Sequence, residues 1–267
     1  MTALAWGSLA PGTGASVHYL LELAGMALGA WLYWRAGNAR TQPADRITRL
    51  GIVAGAALGA AIGARVLYIW QYGPALAGQP LAVWLGGKTV VGGLLGGLIG
   101  VETAKKLLGW RASTGDGFVA PLLVAMVLGR MGCQLSGLQD LTYGTVTTLP
   151  WGWDFGDGLA RHPTSLYEIL GLAMLWLLLA RMRPDSVPGD RFRLFLAGYL
   201  LLRFALEFLK PPFGPVAAAG AVGTTPLAPL PVPLLAPARW SGLSAIQWAC
   251  LAGLLYYSSE FLRRKRR

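Results

Sequence analysis

The sequence has few charged residues, few histidines and few cysteines, and each shortage excludes a class of protein. Asp, Glu, Lys and Arg make up 13% of its 267 residues, whereas hydrophobic residues make up 54%. Such a composition excludes an ordinary soluble domain and is typical of a polytopic membrane protein. The two cysteines, Cys133 and Cys250, fall in different predicted helices, so no disulfide framework is expected. Two histidines and two distant cysteines are also a poor set of metal ligands, so neither a metal site nor a cofactor is predicted.

Long apolar segments predict an all-α integral membrane protein with seven transmembrane helices, each about 20 residues long. The segments are residues 15–34, 50–71, 89–109, 117–136, 165–181, 192–210 and 242–262. The third segment is rich in glycine at the small-xxx-small spacing of tightly packed membrane helices. Helix packing is the favoured interpretation of these glycines, and close approach of a lipid headgroup or substrate is the alternative.

Positive charges are distributed unevenly among the loops. Most of the 23 Lys and Arg residues follow the first, third, fifth and seventh segments. The loops on the other side contain only Lys88, Arg161, Lys210 and Arg239. The positive-inside rule therefore predicts an N-terminus outside and a cytoplasmic C-terminus. The net charge of +11 then reflects topology and attraction to anionic lipid, and nucleic-acid binding has no support beyond charge.

The whole chain, residues 1–267, is predicted to form one transmembrane domain with two long outer loops. The loop at 137–164 is polar and acidic. The loop at 211–240 is rich in Pro, Ala and Leu, which makes it too apolar for a solvated linker and too proline-broken for a helix. We interpret it as an arm on the outer membrane surface, with a disordered connector as the alternative.

Three arginines, Arg65, Arg130 and Arg203, lie within apolar segments. An arginine at membrane depth is costly, and it usually faces a partner, a polar cavity or a ligand rather than lipid. The expected ligand is a phospholipid phosphate, which suits the planar donors of a guanidinium. Arg203 and Glu207 are four residues apart and share one helix face. Glu207 either orients an arginine within a phosphate clamp or forms an ion pair that only stabilises the bundle.

Polar groups also collect at the predicted outer ends of several segments. His162 precedes the start of the fifth helix and is a plausible proton carrier, with a capping and anchoring role as the alternative. Cys133 could be a nucleophile, but a packing role is favoured for a thiol in an apolar setting. Near the start of the first segment, an outer cavity is expected beside His18, Tyr19 and Glu22.

Several short motifs occur in the order typical of one known family. They are Gly129-Arg130-Met131-Gly132, Arg161-His162-Pro163 with Leu166-Tyr167-Glu168, and Arg203-Phe204 with Glu207-Phe208. Together with Gly63-Ala64-Arg65, Gly92-Gly93-Leu94 and Gln247, they resemble bacterial prolipoprotein diacylglyceryl transferases over about residues 15–262. The resemblance implies a seven-helix enzyme of the bacterial inner membrane, with its active site towards the outer face.

The resemblance also implies a reaction and its residues. Family members move the diacylglyceryl group of phosphatidylglycerol to the lipobox cysteine thiol of a prolipoprotein signal peptide, and glycerol phosphate leaves. Arginines would stabilise the phosphate charge, and a base would help to form the thiolate. By position, the resemblance implies that Arg130 and Arg203 face the phosphate, that Glu207 supports them, and that Tyr19 and Gly144 line the site. With the polar residues at the outer ends of the segments, the predicted catalytic residues are Arg130, Asp140, His162, Glu168, Arg203 and Glu207. The predicted substrate-binding residues are Tyr19, Arg65, Tyr68, Lys88, Gly92, Gly93, Cys133, Tyr143, Gly144, Arg161 and Tyr167.

Two positions depart from the family pattern. Val91 stands where the family usually has His, and Cys133 stands where it usually has Asn. Because valine cannot accept a proton, we expect a divergent member with a relocated base, either Asp140, His162 or Glu168. A different acceptor, an anionic-lipid binding or transport protein, and a relative without turnover are the alternatives. Release of the lipid headgroup distinguishes the enzyme from the last two.

Overall fold

The computed structural model describes residues 13–35, 45–78, 80–140, 142–182, 187–211 and 237–265. Within these ranges the chain is mostly helical. The helices are α1 (Thr13–Arg35), α2 (Arg46–Leu76), α3 (Leu81–Gly86), α4 (Val90–Leu107), α5 (Asp116–Ser136), α6 (Thr164–Ala180), α7 (Asp190–Glu207) and α8 (Ala245–Lys265). A 3-10 turn covers Gly137–Asp140. Two short antiparallel pairs join β1 (Trp153–Asp154) to β2 (Ala160–Arg161) and β3 (Arg239–Trp240) to β4 (Leu243–Ser244).

Each of the seven apolar segments contains a helix, which confirms the mostly helical fold. The short helix α3 was not predicted. By length and composition, α2 and α5 could each cross a membrane. Seven crossings and the orientation of the termini stay predictions. Most of the predicted outer arm, residues 212–236, lies outside the described residues.

The described residues form two compact units. The first unit contains α1, α5, α6, the β1–β2 pair, the start of α7 and residues 208–211. The second unit contains α2, α3, α4, the rest of α7, the β3–β4 pair and α8.

In the first unit, α1 packs closely against α5 because glycines remove side chains from the contact. A Cβ on Gly29 would lie 3.0 Å from the carbonyl oxygen of Pro121. A Cβ on Gly132 would lie 3.0 Å from the Cα of His18. At the same end of the pair, Ser136 Oγ donates a 2.9 Å hydrogen bond to the carbonyl oxygen of Gly14. The start of α1 is therefore held beside the end of α5.

In the second unit, α2 and α4 meet backbone against backbone. A Cβ on Gly55 would lie 2.8 Å from the carbonyl oxygen of Gly100, and one on Gly59 would overlap the carbonyl oxygen of Gly96. Gly63 and Gly92 form the same kind of contact. This arrangement confirms the packing interpretation of the glycines, because membrane helices gain van der Waals packing when their backbones approach closely. A role for Gly92 in substrate binding stays a prediction.

Candidate functional site

Arg130 lies near the end of α5 and is paired with Glu168 in the first turns of α6. Its Nε is 2.8 Å from Glu168 Oε1, and the two side chains are 14% and 5% exposed. Its Nη1 also donates to Cys133 Sγ at 3.5 Å, one helical turn along α5. The 2.8 Å charge-assisted contact with Glu168 holds the guanidinium in a defined position. The predicted catalytic residues Arg130 and Glu168 are thus brought together with Cys133.

His18, Cys133 and Asp140 form a three-residue cluster at this end of the first unit. One potential ligand atom from each lies within 4.8 Å of the others. His18 Nδ1 is 3.1 Å from Asp140 Oδ1, and His18 Nε2 is 3.9 Å from Glu22 Oε2. Nδ1 is buried, and the Asp140 carboxylate is its only partner among the described residues. The cluster therefore places nitrogen, sulfur and oxygen atoms within 4.8 Å of one another.

Asp140 is positioned by the loop that follows the 3-10 turn. Thr142 Oγ1 donates to Asp140 Oδ2 at 2.8 Å and lies 3.3 Å from Ser165 Oγ. Burial raises the pKa of the Asp140 carboxyl, but His18, Cys133 and Thr142 lower it, and the net pKa is below its usual value. Lys210 Nζ donates to the backbone oxygen of Thr142 and thereby ties this loop to the residues after α7.

Arg161 is anchored within the β1–β2 pair rather than presented at its surface. Its Nη1 contacts Asp157 Oδ1 at 2.5 Å, and its guanidinium carbon lies 5.0 Å from the centroid of the Tyr143 ring. Burial raises the pKa of the Tyr143 hydroxyl, Arg161 lowers it and Asp157 raises it, and the net pKa is above its usual value. These contacts indicate a structural role for Arg161, and its predicted contact with substrate stays a prediction.

His162 lies in a polar chain at the start of α6. His162 Nδ1 is 3.2 Å from the Tyr167 hydroxyl, which accepts a 2.9 Å hydrogen bond from Trp151 Nε1. Gly144 hydrogen-bonds the backbone oxygen of His162 at 2.9 Å. A Cβ on Gly144 would lie 2.7 Å from His162 Cβ and 2.9 Å from the carbonyl oxygen of Leu209. Glycine at this position is therefore required by the close approach of three chain segments.

The second unit contains its own buried polar network around Glu207. Arg203 Nη2 is 2.7 Å from Glu207 Oε2, as their i,i+4 spacing predicted. Ser244 Oγ donates to Glu207 Oε1 at 3.1 Å, and Gln71 Nε2 approaches the same oxygen at 3.5 Å. Gln247 bonds the backbone of Ser244 and Phe204. Burial of these groups is tolerated because the two charges are paired and the neighbouring amide and hydroxyl groups bond either the carboxylate or the backbone.

Other predicted binding residues also lie in the second unit. Arg65 is on α2, and the ring of Tyr68 lies directly against Gly87. Thr89 caps α4 through Gly92 and bonds the backbone oxygen of Ala64. In the first unit, Tyr19 is 61% exposed on α1.

Comparison with known proteins identifies the family. The sequence profile described as prolipoprotein diacylglyceryl transferase matches residues 15–257. The chain belongs to this family. A protein of Nitratidesulfovibrio vulgaris named phosphatidylglycerol–prolipoprotein diacylglyceryl transferase is 38% identical over 213 residues, covering 72% of this chain and 76% of the relative. Proteins with the same name from Aromatoleum aromaticum and Mannheimia succiniciproducens are 34% and 30% identical, covering 76% and 78% of this chain and 69% and 82% of the relatives.

Two residues of this prolipoprotein diacylglyceryl transferase family member depart from the expected pattern. Cys133, in place of the expected Asn, lies beside Arg130 in the first unit. Val91, in place of the expected His, is 1% exposed in the core of the second unit. His18 and Cys133 were predicted separately and were not joined to Asp140. Gln71 and Ser244 were not predicted, although a glutamine within an apolar segment is a signal of a buried polar contact.

Proposed function

We propose that this chain transfers the diacylglyceryl group of phosphatidylglycerol to the cysteine thiol of a prolipoprotein and releases glycerol phosphate. Family membership and the printed names of the relatives support this reaction. The observation that carries it is the buried Arg130–Glu168 pair next to Cys133. A fixed cation at membrane depth suits an anionic lipid headgroup.

The reaction breaks a carbon–oxygen bond to phosphate, so negative charge grows on the departing phosphate. Arg130 is proposed to stabilise this charge, and Glu168 holds its guanidinium group at 2.8 Å. Arg203, which Glu207 holds at 2.7 Å within the second unit, stays a predicted catalytic residue. A preoriented cation needs no rearrangement during the reaction, and this is the basis of electrostatic catalysis.

Formation of the acceptor thiolate is the step for which the family histidine is missing. The predicted replacements were Asp140, His162 and Glu168. Glu168 is engaged by Arg130, and His162 contacts the Tyr167 hydroxyl, so neither is marked out as a base. Asp140 belongs to a cluster with His18 and Cys133, and these three side chains are also potential metal ligands.

The chain is further proposed to cross the bacterial inner membrane seven times, with its site towards the outer face and a signal peptide as partner. A helix at each apolar segment and the distribution of Lys and Arg support this topology. Reporter domains fused after α1 and at the C-terminus test it. Both reporters should be active on the cytoplasmic side, and an external signal from either would contradict the orientation.

The activity is tested with the purified chain in nanodiscs that contain headgroup-labelled phosphatidylglycerol. Label should be released as glycerol phosphate only when a lipobox peptide is present. Arg130→Ala should lower the rate by about 10²–10³-fold, as for removal of an electrostatic stabiliser. Arg193→Ala is the matched control, because Arg193 forms a partly exposed pair with Asp190. Lipid retention that depends on Arg130 without release would support a carrier, and neither retention nor release would support a relative without turnover.

A further inference from the structure

The cluster of His18, Cys133 and Asp140 contains three different metal-binding groups in one place. They come from α1, α5 and the 3-10 turn, and their potential ligand atoms lie within 4.8 Å of one another. The contact between Gly132 and the backbone of His18 makes this convergence possible. The sequence argued against a metal site because its histidines and cysteines are far apart along the chain. The packing of α1 on α5 removes that separation.

The separation of His18 and Asp140 is close to that of two ligands of one cation. Nδ1 and Oδ1 are 3.1 Å apart, and Nδ1 has no other partner among the described residues. Ligand atoms of a tetrahedral zinc ion, at about 2.0–2.3 Å from the metal, lie roughly 3.3–3.8 Å from each other. The sulfur of Cys133, within 4.8 Å, needs a shift of about 1 Å to complete such a set.

The groups around the cluster match the outer contacts of metal ligands. Thr142 Oγ1 bonds the far oxygen of Asp140 at 2.8 Å, and Glu22 Oε2 lies 3.9 Å from the far nitrogen of His18. A hydroxyl bonded to a carboxylate in this way orients a metal ligand, whereas the Glu22 contact is longer than a hydrogen bond. Arg130 Nη1 donates to the sulfur of Cys133, and the Arg130 charge is opposed by Glu168. A divalent cation would be neutralised by one thiolate and one carboxylate.

We propose that His18, Cys133 and Asp140 bind a divalent cation of the zinc class, and that its fourth position binds the acceptor thiol. Three protein ligands with one open position are the arrangement of a catalytic zinc site. A thiol that coordinates such an ion is deprotonated at neutral pH. The cation therefore supplies the thiolate that Val91 cannot help to form. The role in thiol activation rests on the proposed transferase function, whereas metal binding does not.

The resulting step balances without a further reagent. The acceptor S–H proton passes to water when the sulfur coordinates the cation. The coordinated sulfur attacks the glycerol carbon that carries the phosphodiester oxygen, and a C–S bond forms as that C–O bond breaks. Glycerol phosphate leaves with the bonding electron pair. The product is a thioether, which is a weaker ligand than a thiolate and leaves the cation for the next acceptor.

The test uses the purified full chain in detergent, stripped with a chelator and titrated with Co²⁺. The wild type should bind about one cobalt ion per chain and show the near-ultraviolet charge-transfer band of a cobalt–thiolate bond. Cys133→Ala should abolish the band. Cys250→Ala is the matched control, since Cys250 is the other free buried cysteine, and it should keep the band. Thr142→Val should weaken cobalt binding by about 10–100-fold, the usual effect of losing an outer contact.

The results separate the metal site from the transferase function. Absence of cobalt binding to the wild type overturns the metal site, and so does a band that survives Cys133→Ala. Headgroup release by metal-free enzyme would also overturn the cation's role while leaving the transferase proposal intact. Cobalt binding without headgroup release would support the site and contradict the transferase. A lipobox peptide should alter the cobalt spectrum, and its Cys→Ser counterpart should not.

Discussion

Removing the Glu168 carboxylate alone should destabilise the protein more than replacing both members of its ion pair. Arg130 Nε lies 2.8 Å from Glu168 Oε1, and both side chains are largely buried. Glu168→Leu leaves the arginine charge without this carboxylate, and breaking a buried pair in this way costs about 3–5 kcal/mol. Replacing Arg130 by Met as well removes both charges. Because desolvation is then avoided, the double variant should unfold within about 1 kcal/mol of the wild type, although it is inactive.

The free energy of unfolding is measured in detergent by denaturant titration, followed through tryptophan fluorescence. Asp190→Asn is the control, because Asp190 and Arg193 are 36% and 29% exposed and their pair should contribute no more than about 1 kcal/mol. The prediction is wrong if Glu168→Leu lowers the free energy of unfolding by no more than Asp190→Asn does. A double variant as unstable as Glu168→Leu would contradict it as well.

Further predictions concern the second unit. Gly59→Ala should lower the free energy of unfolding by about 1–3 kcal/mol because its Cβ would meet the α4 backbone, whereas Gly73→Ala, with open space around it, should be neutral or stabilising in the same titration. Gln71→Leu should lower the free energy of unfolding by about 1–3 kcal/mol, because the Ile246 amide and the Glu207 carboxylate each lose a hydrogen-bond partner. A loss below about 0.5 kcal/mol would contradict this prediction. Backbone amides of α2 lower the pKa of Asp45, so its capping contribution should be present above the usual carboxyl pKa and fade as pH falls through the lowered value. Amide exchange in the first turn, expressed as protection relative to the unfolded chain at the same pH, should fall accordingly, and Asp45→Asn should remove this pH dependence.

Apolar length alone predicted where the long helices lie, and the i,i+4 spacing predicted the Arg203–Glu207 pair. Both are local properties, so the sequence contains them directly. The partner of Arg130 was not predictable in this way, because Glu168 is on another helix. The spacing of apolar residues in α1 does not predict that this helix packs on α5, since helices distant in the chain become neighbours only through tertiary packing. His18 and Cys133 therefore remained separate observations, and a packing role was favoured for the thiol.

Arg161 shows what a sequence motif leaves open. Its place in a family-like motif predicted contact with substrate. Its buried contacts with Asp157 and Tyr143 are those of a residue that stabilises a hairpin. A motif preserves residue types, but it does not distinguish residues that touch the substrate from residues that position the loop.

The glycine contact between α2 and α4 has a consequence for the synthesis of the protein. The face of α2 that carries Gly55, Gly59 and Gly63 is made before α4, so it could pair with the same face of another copy. Residues 77–89 are the only connection between the two helices, and such a short tether gives α4 an effective concentration in the millimolar range. Internal pairing should therefore outcompete association between chains at cellular protein levels. Lengthening this connection would shift the balance towards swapped dimers without any change in the contact itself.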